Sequence, residues 1–199
     1  LGFNLQLEQA SDDLNQIVNN ARALFSGQNS SYDAMNAYMA TKAGAGKVLT
    51  WQLDDAAPWC TFTPILVGQK VFPSDMLRNS AEPYHPWNQA ASCGGAAKTV
   101  QVAFACSSHV VNISGVPTTT CNPTSPVHLV VRYLFLTPSE CSSVILRNST
   151  AGAETGLTKI VVGNATSLAT FPLMPTDVAT ACGAPTSVDW YYNLGGAKG

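Results

Sequence analysis

Apolar residues recur in steps of three and four at Leu7, Ala10, Leu14, Ile17, Val18, Ala21, Leu24 and Phe25. Glu8, Asp12, Asp13, Asn15, Asn19 and Arg22 take the remaining positions, which are read as the wet faces. This spacing predicts an amphipathic helix over Leu5 to Ser26, the longest stretch of unbroken helical period in the chain. Gly27 suits a left-handed C-terminal cap, and the polar residues after it have loop chemistry. By pattern alone, such a helix lies on a core with one stripe buried. The chain opens on Leu1, Gly2 and Phe3 without a methionine, which reads as a processed or shortened product whose helix continues upstream into a membranous half. The sequence itself holds no run of about 18 apolar residues, so the chain as given is expected to be soluble.

Further along, Tyr32 to Lys42 is rich in helix formers and predicts a second, short helix capped by Ser31. Val48 to Leu53 and Thr61 to Val67 carry alternating or β-branched residues and read as strands. Asp54 to Pro58 would be the turn between them, bringing Trp51 near Trp59. Phe72 through Pro86 is too rich in proline for regular structure and reads as an irregular loop. From Lys98 the texture becomes β. Lys98 to Ala105 alternates, Val110 to Ile113 is short, and Val127 to Leu136 is the most hydrophobic strand, expected at the centre of a sheet. Thr137, Pro138 and Glu140 then supply a cap, a first-turn proline and a first-turn acid, so Cys141 to Arg147 should be helical. Lys159 to Val162 and Ala169 to Leu173 read as late strands, and Trp190, Tyr191 and Tyr192 close the chain before a Gly-rich tail.

At 199 residues the chain suits one domain with a sizeable core. Charged residues make up only 11%, less than half the usual share, and the formal net charge is −2 with no Lys/Arg cluster. That leaves no electrostatic footprint for nucleic acid or anionic lipid. The six cysteines, Cys60, Cys93, Cys106, Cys121, Cys141 and Cys182, are widely spaced with no C-x-x-C pair, so three disulfides in an oxidising compartment are expected. Six cysteines allow 15 pairings, and spacing does not choose among them.

Motifs for catalysis are missing. There is no nucleophile elbow, Walker loop, H-E-x-x-H or EF-hand loop, and no pair of acids stands out for sugar hydrolysis. His85, His109 and His128 are isolated and read as structural or exposed. Asp54 and Asp55 with Asp177 or Asp189 would be the sole candidate for calcium, but a solvated turn explains them, and no cofactor or metal is expected. Sequons at Asn29, Asn112, Asn148 and Asn164 would mark glycans in a eukaryotic secreted protein and keep a disulfide-rich binding ectodomain open as a reading of another class.

Taken in order, the pieces resemble the type IV pilins, and within them the type IVb, thin-pilus class of conjugative plasmids. The first helix resembles the C-terminal half of the pilin spine. Phe72-Pro73-Ser74-Asp75-Met76, then His85-Pro86-Trp87, Gly94-Gly95 and Thr99-Val100-Gln101-Val102, resemble the family's passage from loop to sheet, although the six residues Asn88 to Cys93 enlarge the turn here. Leu129 to Leu136 followed by Thr137 to Leu146 resembles the strand and short helix that carry the first cysteine of the D-region.

The resemblance implies an α+β fold with the spine helix packed on an antiparallel sheet through Leu7, Leu14, Ile17, Val18, Ala21, Leu24 and Phe25. It implies one domain, divided into 1–26 (spine), 27–97 (αβ-loop), 98–136 (central sheet) and 137–199 (D-region), and a Cys141–Cys182 bridge. The family supplies no other bridge, so Cys106 with Cys121 and Cys60 with Cys93 are this reading's own pairings. It further implies no catalysis. The partners would be other copies in a helical filament, with the assembly machinery and inner membrane engaged through the upstream helix half, and the place would be an extracellular pilus. A minor pilin and a type II secretion pseudopilin share this logic.

Overall fold

The computed structural model describes residues 2–25, 31, 34, 37–38, 41, 63, 65–78, 82–89, 99–106, 127–149, 155–163 and 166–194. The chain opens with helix α1 (Phe3–Phe25). A short antiparallel pair follows, β1 (Leu77–Arg78) with β2 (Glu82–Pro83). The main sheet is built from β3 (Val100–Cys106), β4 (Val127–Leu136), β5 (Leu157–Val162), β6 (Thr166–Leu168) and β7 (Thr186–Asn193). Helix α2 (Pro138–Arg147) lies between β4 and β5, and helix α3 (Pro175–Ala181) between β6 and β7. The five strands run in the order β3-β4-β7-β5-β6, every pair antiparallel. The fold is therefore α+β, an N-terminal helix on an antiparallel sheet.

Strand alternation decides what meets the helix. Val100, Val102 and Phe104 of β3, Leu129, Val131 and Tyr133 of β4, and Val188, Trp190 and Tyr192 of β7 share one core with Ala10, Leu14, Ile17, Val18, Ala21 and Phe25 of α1. The Phe25 and Phe104 rings meet edge to face with centroids 5.0 Å apart. Tyr133 crosses the core, donating from its hydroxyl to the Ala10 carbonyl at 2.7 Å while its ring meets Trp190 edge-on. A helix carbonyl and a sheet side chain are thereby joined in a place without water, where an unmade bond would be costly.

The reverse face of the sheet is also buried. Ala103, Ala105, Val130, Val161 and Tyr191 form a second apolar cluster. On this face Arg132 and Asp189, paired directly across β4 and β7, make a two-pronged ion pair, Nε to Oδ1 at 2.7 Å and Nη2 to Oδ2 at 2.8 Å. Both side chains are 3% exposed. Burial on both faces explains why β4 reads as an unbroken apolar run rather than an alternation.

Towards its end β4 bulges. The β7 partners pass from Tyr133 to Leu136 with two residues of β4 between and one of β7. Phe135 takes the left-handed conformation there, φ 58°, and is 44% exposed. The Leu134 amide bonds the Thr99 carbonyl at 2.9 Å, which turns the strand towards α2. Helix α2 starts with a full capping box: Thr137 Oγ1 accepts from the Glu140 amide, and a Glu140 carboxylate oxygen accepts from the Thr137 amide.

Several sequence expectations are corrected. Thr61 to Val67 reads as a strand, yet residues 63 and 65–68 are helical, with Gln69 N–H on the Ile65 carbonyl at 3.1 Å. Thr63 and Leu66, three apart, are both fully buried, and Thr63 Oγ1 accepts from the Val102 amide, so tertiary contacts override the β-branched composition. Ala169 to Leu173 is not a strand: pairing ends at Leu168, and Pro172 has no amide to extend a ladder. The loop through Phe72 to Pro86 contains a 3-10 turn at Ser74–Met76 and the β1–β2 pair. Asp13, assigned to a wet face, is 1% exposed. Position 13 follows Ala10 by three and precedes Ile17 by four, so helical geometry places it on the buried stripe whatever its polarity. Of the second helix, residues 34, 37, 38 and 41 are helical, and the Ala34 amide donates to Ser31 Oγ at 3.3 Å. The strands at Val48 to Leu53 and Val110 to Ile113, the Gly27 cap, and the Trp51 and Trp59 contact lie outside the described residues.

Two substitutions test this packing. Leu14→Asp places a charge where Leu14 is fully buried and should abolish the cooperative thermal transition, whereas Asn15→Asp on the exposed side should leave Tm nearly unchanged. Arg132→Leu should cost about 3–5 kcal/mol in urea unfolding by stranding the Asp189 carboxylate, and adding Asp189→Leu should recover most of that loss.

Candidate functional site

The two ends of α1 differ in kind. From Ala10 to Phe25 its stripe is sealed by the sheet, with Leu7 and Leu24 half-buried at the margins. Nearer the start, Phe3 is 39% and Leu5 52% exposed, and the Phe3 ring stacks on Trp87 at 5.6 Å. The first turns of the helix thus carry large apolar groups that the rest of the domain covers only in part.

Beneath them lies a pair of carboxyls. Asp13 on α1 lies close enough to Asp75 in the 3-10 turn to feel its charge, and its Oδ2 is enclosed with no hydrogen-bond partner among the described residues. Burial first, then the Asp75 charge, push the Asp13 carboxyl up to about 7. Asp12 on the same helix adds to the push. Asp75 also lies within the sequence step Phe72 to Met76, so that step sits beside the helix.

His85 anchors the neighbouring loop. Its Nε2 bonds the Leu134 carbonyl at 2.6 Å and its Nδ1 accepts from the Trp87 amide at 3.2 Å, which fixes the proton on Nε2. Thr99 Oγ1 accepts from the His85 amide and donates to the Asn88 carbonyl. The ring is 1% exposed, and burial pushes it down to about 4, so it stays neutral. His128 is half-buried, and burial also lowers its pKa. Both histidines are structural groups; His109 lies outside the described residues.

The C-terminal third is closed by a disulfide. Cys141 in the first turn of α2 and Cys182 at the C-cap of α3 are bonded, their Cα atoms 5.7 Å apart. Both are buried in the main core. At the other end of α2, Asn148 Nδ2 donates to Ser11 Oγ at 2.9 Å and to the Val144 carbonyl, and its carbonyl accepts from Trp190 Nε1. One residue therefore joins α1, α2 and β7. In this fold the amide of the Asn148 sequon is committed to these contacts. Cys60, Cys93 and Cys121, the side chain of Cys106, and the sequon asparagines Asn29, Asn112 and Asn164 lie outside the described residues.

Among the described residues no three His, Cys, Asp or Glu side chains converge as a metal site. Asp189 is committed to Arg132, Asp177 is exposed on α3, and Asp54 and Asp55 lie outside the described residues. Also among the described residues, no helix is long and apolar enough to cross a membrane. Sequence reasoning missed Asp75, the Arg132–Asp189 pair, α3 and β7. Pro175 followed by Asp177 was an available start signal for α3, and the alternation of Val188, Trp190 and Tyr192 was one for β7.

No family model matches the chain, and no curated protein matches it. Among solved structures, one described as the crystal structure of type IV b pilin from Salmonella typhi is similar. It is 13% identical, the alignment covers 88% of this chain and 97% of that one, and the TM-score is 0.39. A likeness of that size carries no argument by itself. What the structure does contain is the set of parts that the pilin resemblance implies: a long N-terminal helix, an antiparallel sheet beneath it, and a Cys141–Cys182 bridge closing the C-terminal segment.

The carboxyl pair predicts a pH dependence. Because the folded Asp13 pKa is raised above its unfolded value of 3.8, the folded state holds the extra proton between about pH 4 and 7, and the site's penalty grows over that window as pH rises. His85 has the opposite sign, losing stability as pH falls from its unfolded 6.5 towards 4, so the comparison must be between variants. Asp13→Asn should raise Tm at pH 8 by on the order of 5 °C, and that gain should shrink as pH falls and vanish below the unfolded value of 3.8. Differential scanning calorimetry across that range measures it.

Proposed function

We propose that this chain is the globular part of a pilus subunit of the type IVb kind, polymerising through its N-terminal helix into an extracellular filament. The observation that carries the reading is the divided character of α1, sealed by the sheet from Ala10 to Phe25 and apolar but exposed at Phe3 and Leu5. Partly exposed leucine and phenylalanine in the first turns of α1 favour burial against other helices. In this reading, helices from many copies bundle as the filament core, and residues 27–97 and 137–199 form contacts between neighbouring globular domains. The low charge of the chain, 11% of residues, limits repulsion between copies brought side by side. The disulfide suits the oxidising exterior. The upstream helix half would engage the inner membrane and the assembly machinery, and the filament would serve adhesion, aggregation or conjugative contact without catalysis.

Immunogold electron microscopy of the source cells, with antibodies raised to this domain, tests the proposal. Gold spaced along the length of thin surface filaments is the expected result. Gold confined to filament tips would replace a major subunit by a minor one, and gold on the cell surface away from any filament would overturn the reading.

A further inference from the structure

A cavity of about 440 Å³ opens where α1, the end of α2 and β7 meet, lined by Asn15, Val18, Asn19, Arg22, Arg147, Asn148, Thr155 and Tyr192. Among the described residues its lining holds two arginines and no carboxylate. Asn15, Asn19 and Arg22 are four and three residues apart on α1, so they present one polar stripe to it. Val18 and Tyr192 supply apolar surface to the wall.

Arg22 is fixed in place. Its Nε donates to the Asn193 carbonyl at 3.1 Å, and its guanidinium carbon stands 5.2 Å from the centre of the Tyr192 ring. Its Nη2 is enclosed and has no acceptor. Burial lowers the pKa of this group, and no Asp or Glu is among the groups that oppose that shift. A half-buried guanidinium without an acid partner is an unpaid electrostatic cost in the domain alone. Arg147, across the cavity, has a loose contact with Glu8 at 3.8 Å, both side chains more than half exposed, so water screens it and an incoming anion can displace it.

We propose that this cavity binds a carboxylate-bearing saccharide of the uronate class. The two guanidiniums take the carboxylate, for which their forked donors are shaped, and the Asn15 and Asn19 amides with the Thr155 hydroxyl take the sugar hydroxyls. The volume falls in the range of small-ligand sites, and the wall combines amides, a hydroxyl and guanidiniums with Val18 and Tyr192, a mixed surface that suits a polar guest with an apolar ring face. The proposal concerns the folded domain by itself and is independent of the filament reading, so either can fail without the other.

The test titrates the isotopically labelled chain with sodium glucuronate, glucose and inorganic phosphate, following backbone amides by nuclear magnetic resonance. The expected result is saturable shifts around Asn19, Arg147 and Thr155 with glucuronate, none with glucose, and at least tenfold weaker binding of phosphate. Arg147→Gln lies on the exposed side and should fold as the parent does while weakening glucuronate at least tenfold. Arg22→Gln should abolish binding, with the spectrum reporting whether the fold persists. No shift at 20 mM glucuronate would overturn the proposal. Phosphate binding as tightly as glucuronate would show a plain anion site and overturn the saccharide assignment, as would unchanged affinity in Arg147→Gln.

Discussion

Everything else in the domain is arranged around the loss of water from one stripe of α1. A helix of 23 residues is about 35 Å long and marginal in water by itself, so it is ordered by what it packs on. The sheet supplies that surface, with Phe25 against Phe104 at one end and Tyr133 reaching the Ala10 carbonyl towards the other. Two polar groups inside the contact are satisfied by specific partners, Ser11 by Asn148 and the Ala10 carbonyl by the Tyr133 hydroxyl, whereas the Asp13 Oδ2 has none among the described residues. These bonds restrict how far the helix can slide along the sheet, since each has its partner at one register only. Packing gives the contact its strength, and the buried polar groups give it its address.

The same logic accounts for the two-faced sheet. β4 lies between β3 and β7 and is buried along most of its length, so it needs apolar residues on both sides; the Arg132–Asp189 pair is the exception. A buried ion pair contributes little net stability compared with an apolar pair, but it penalises misalignment heavily. Shifting β7 by one residue against β4 would separate the charges and turn Asp189 to the opposite face from Arg132. The pair therefore acts on register more than on stability.

How far the sequence carried depended on whether a residue's chemistry and its position agreed. β4 and the start of α2 were legible because apolar run, Thr137 cap, Pro138 and Glu140 all point the same way. The buried span of α1 was legible from its period, but Asp13 and Ser11 were not, because polarity was allowed to outvote helical position. Residues 63 and 65–68 were misread because β-branched composition is a weak guide once a hydroxyl such as that of Thr63 is held by a strand backbone. The cavity beside Arg22 was invisible for a different reason: Arg22, Arg147 and Thr155 come from separate parts of the chain, and no local pattern marks their meeting.

The disulfide shows how distant parts are made to act together. Cys141 and Cys182 are 41 residues apart and close a loop containing most of α2, all of β5 and β6, and α3. Chain entropy alone makes such a closure worth about 4 kcal/mol, a large share of a domain's usual stability. Its placement is as informative as its strength. Both cysteines lie in the core, at the start of one helix and the end of another, so the bridge fixes α3 to the helix that follows the central strand. The segment between them adds the β5–β6 edge to a sheet whose other edge is β3, and the turn at Gly163 is pinned against β7 by a bond from its amide to the Ser187 carbonyl at 2.9 Å. A side chain at Gly163 would meet Thr186 Oγ1 at 2.7 Å, so that turn is set by space as well as by hydrogen bonding. The C-terminal third is thus held covalently at its helices and by backbone bonds at its strands.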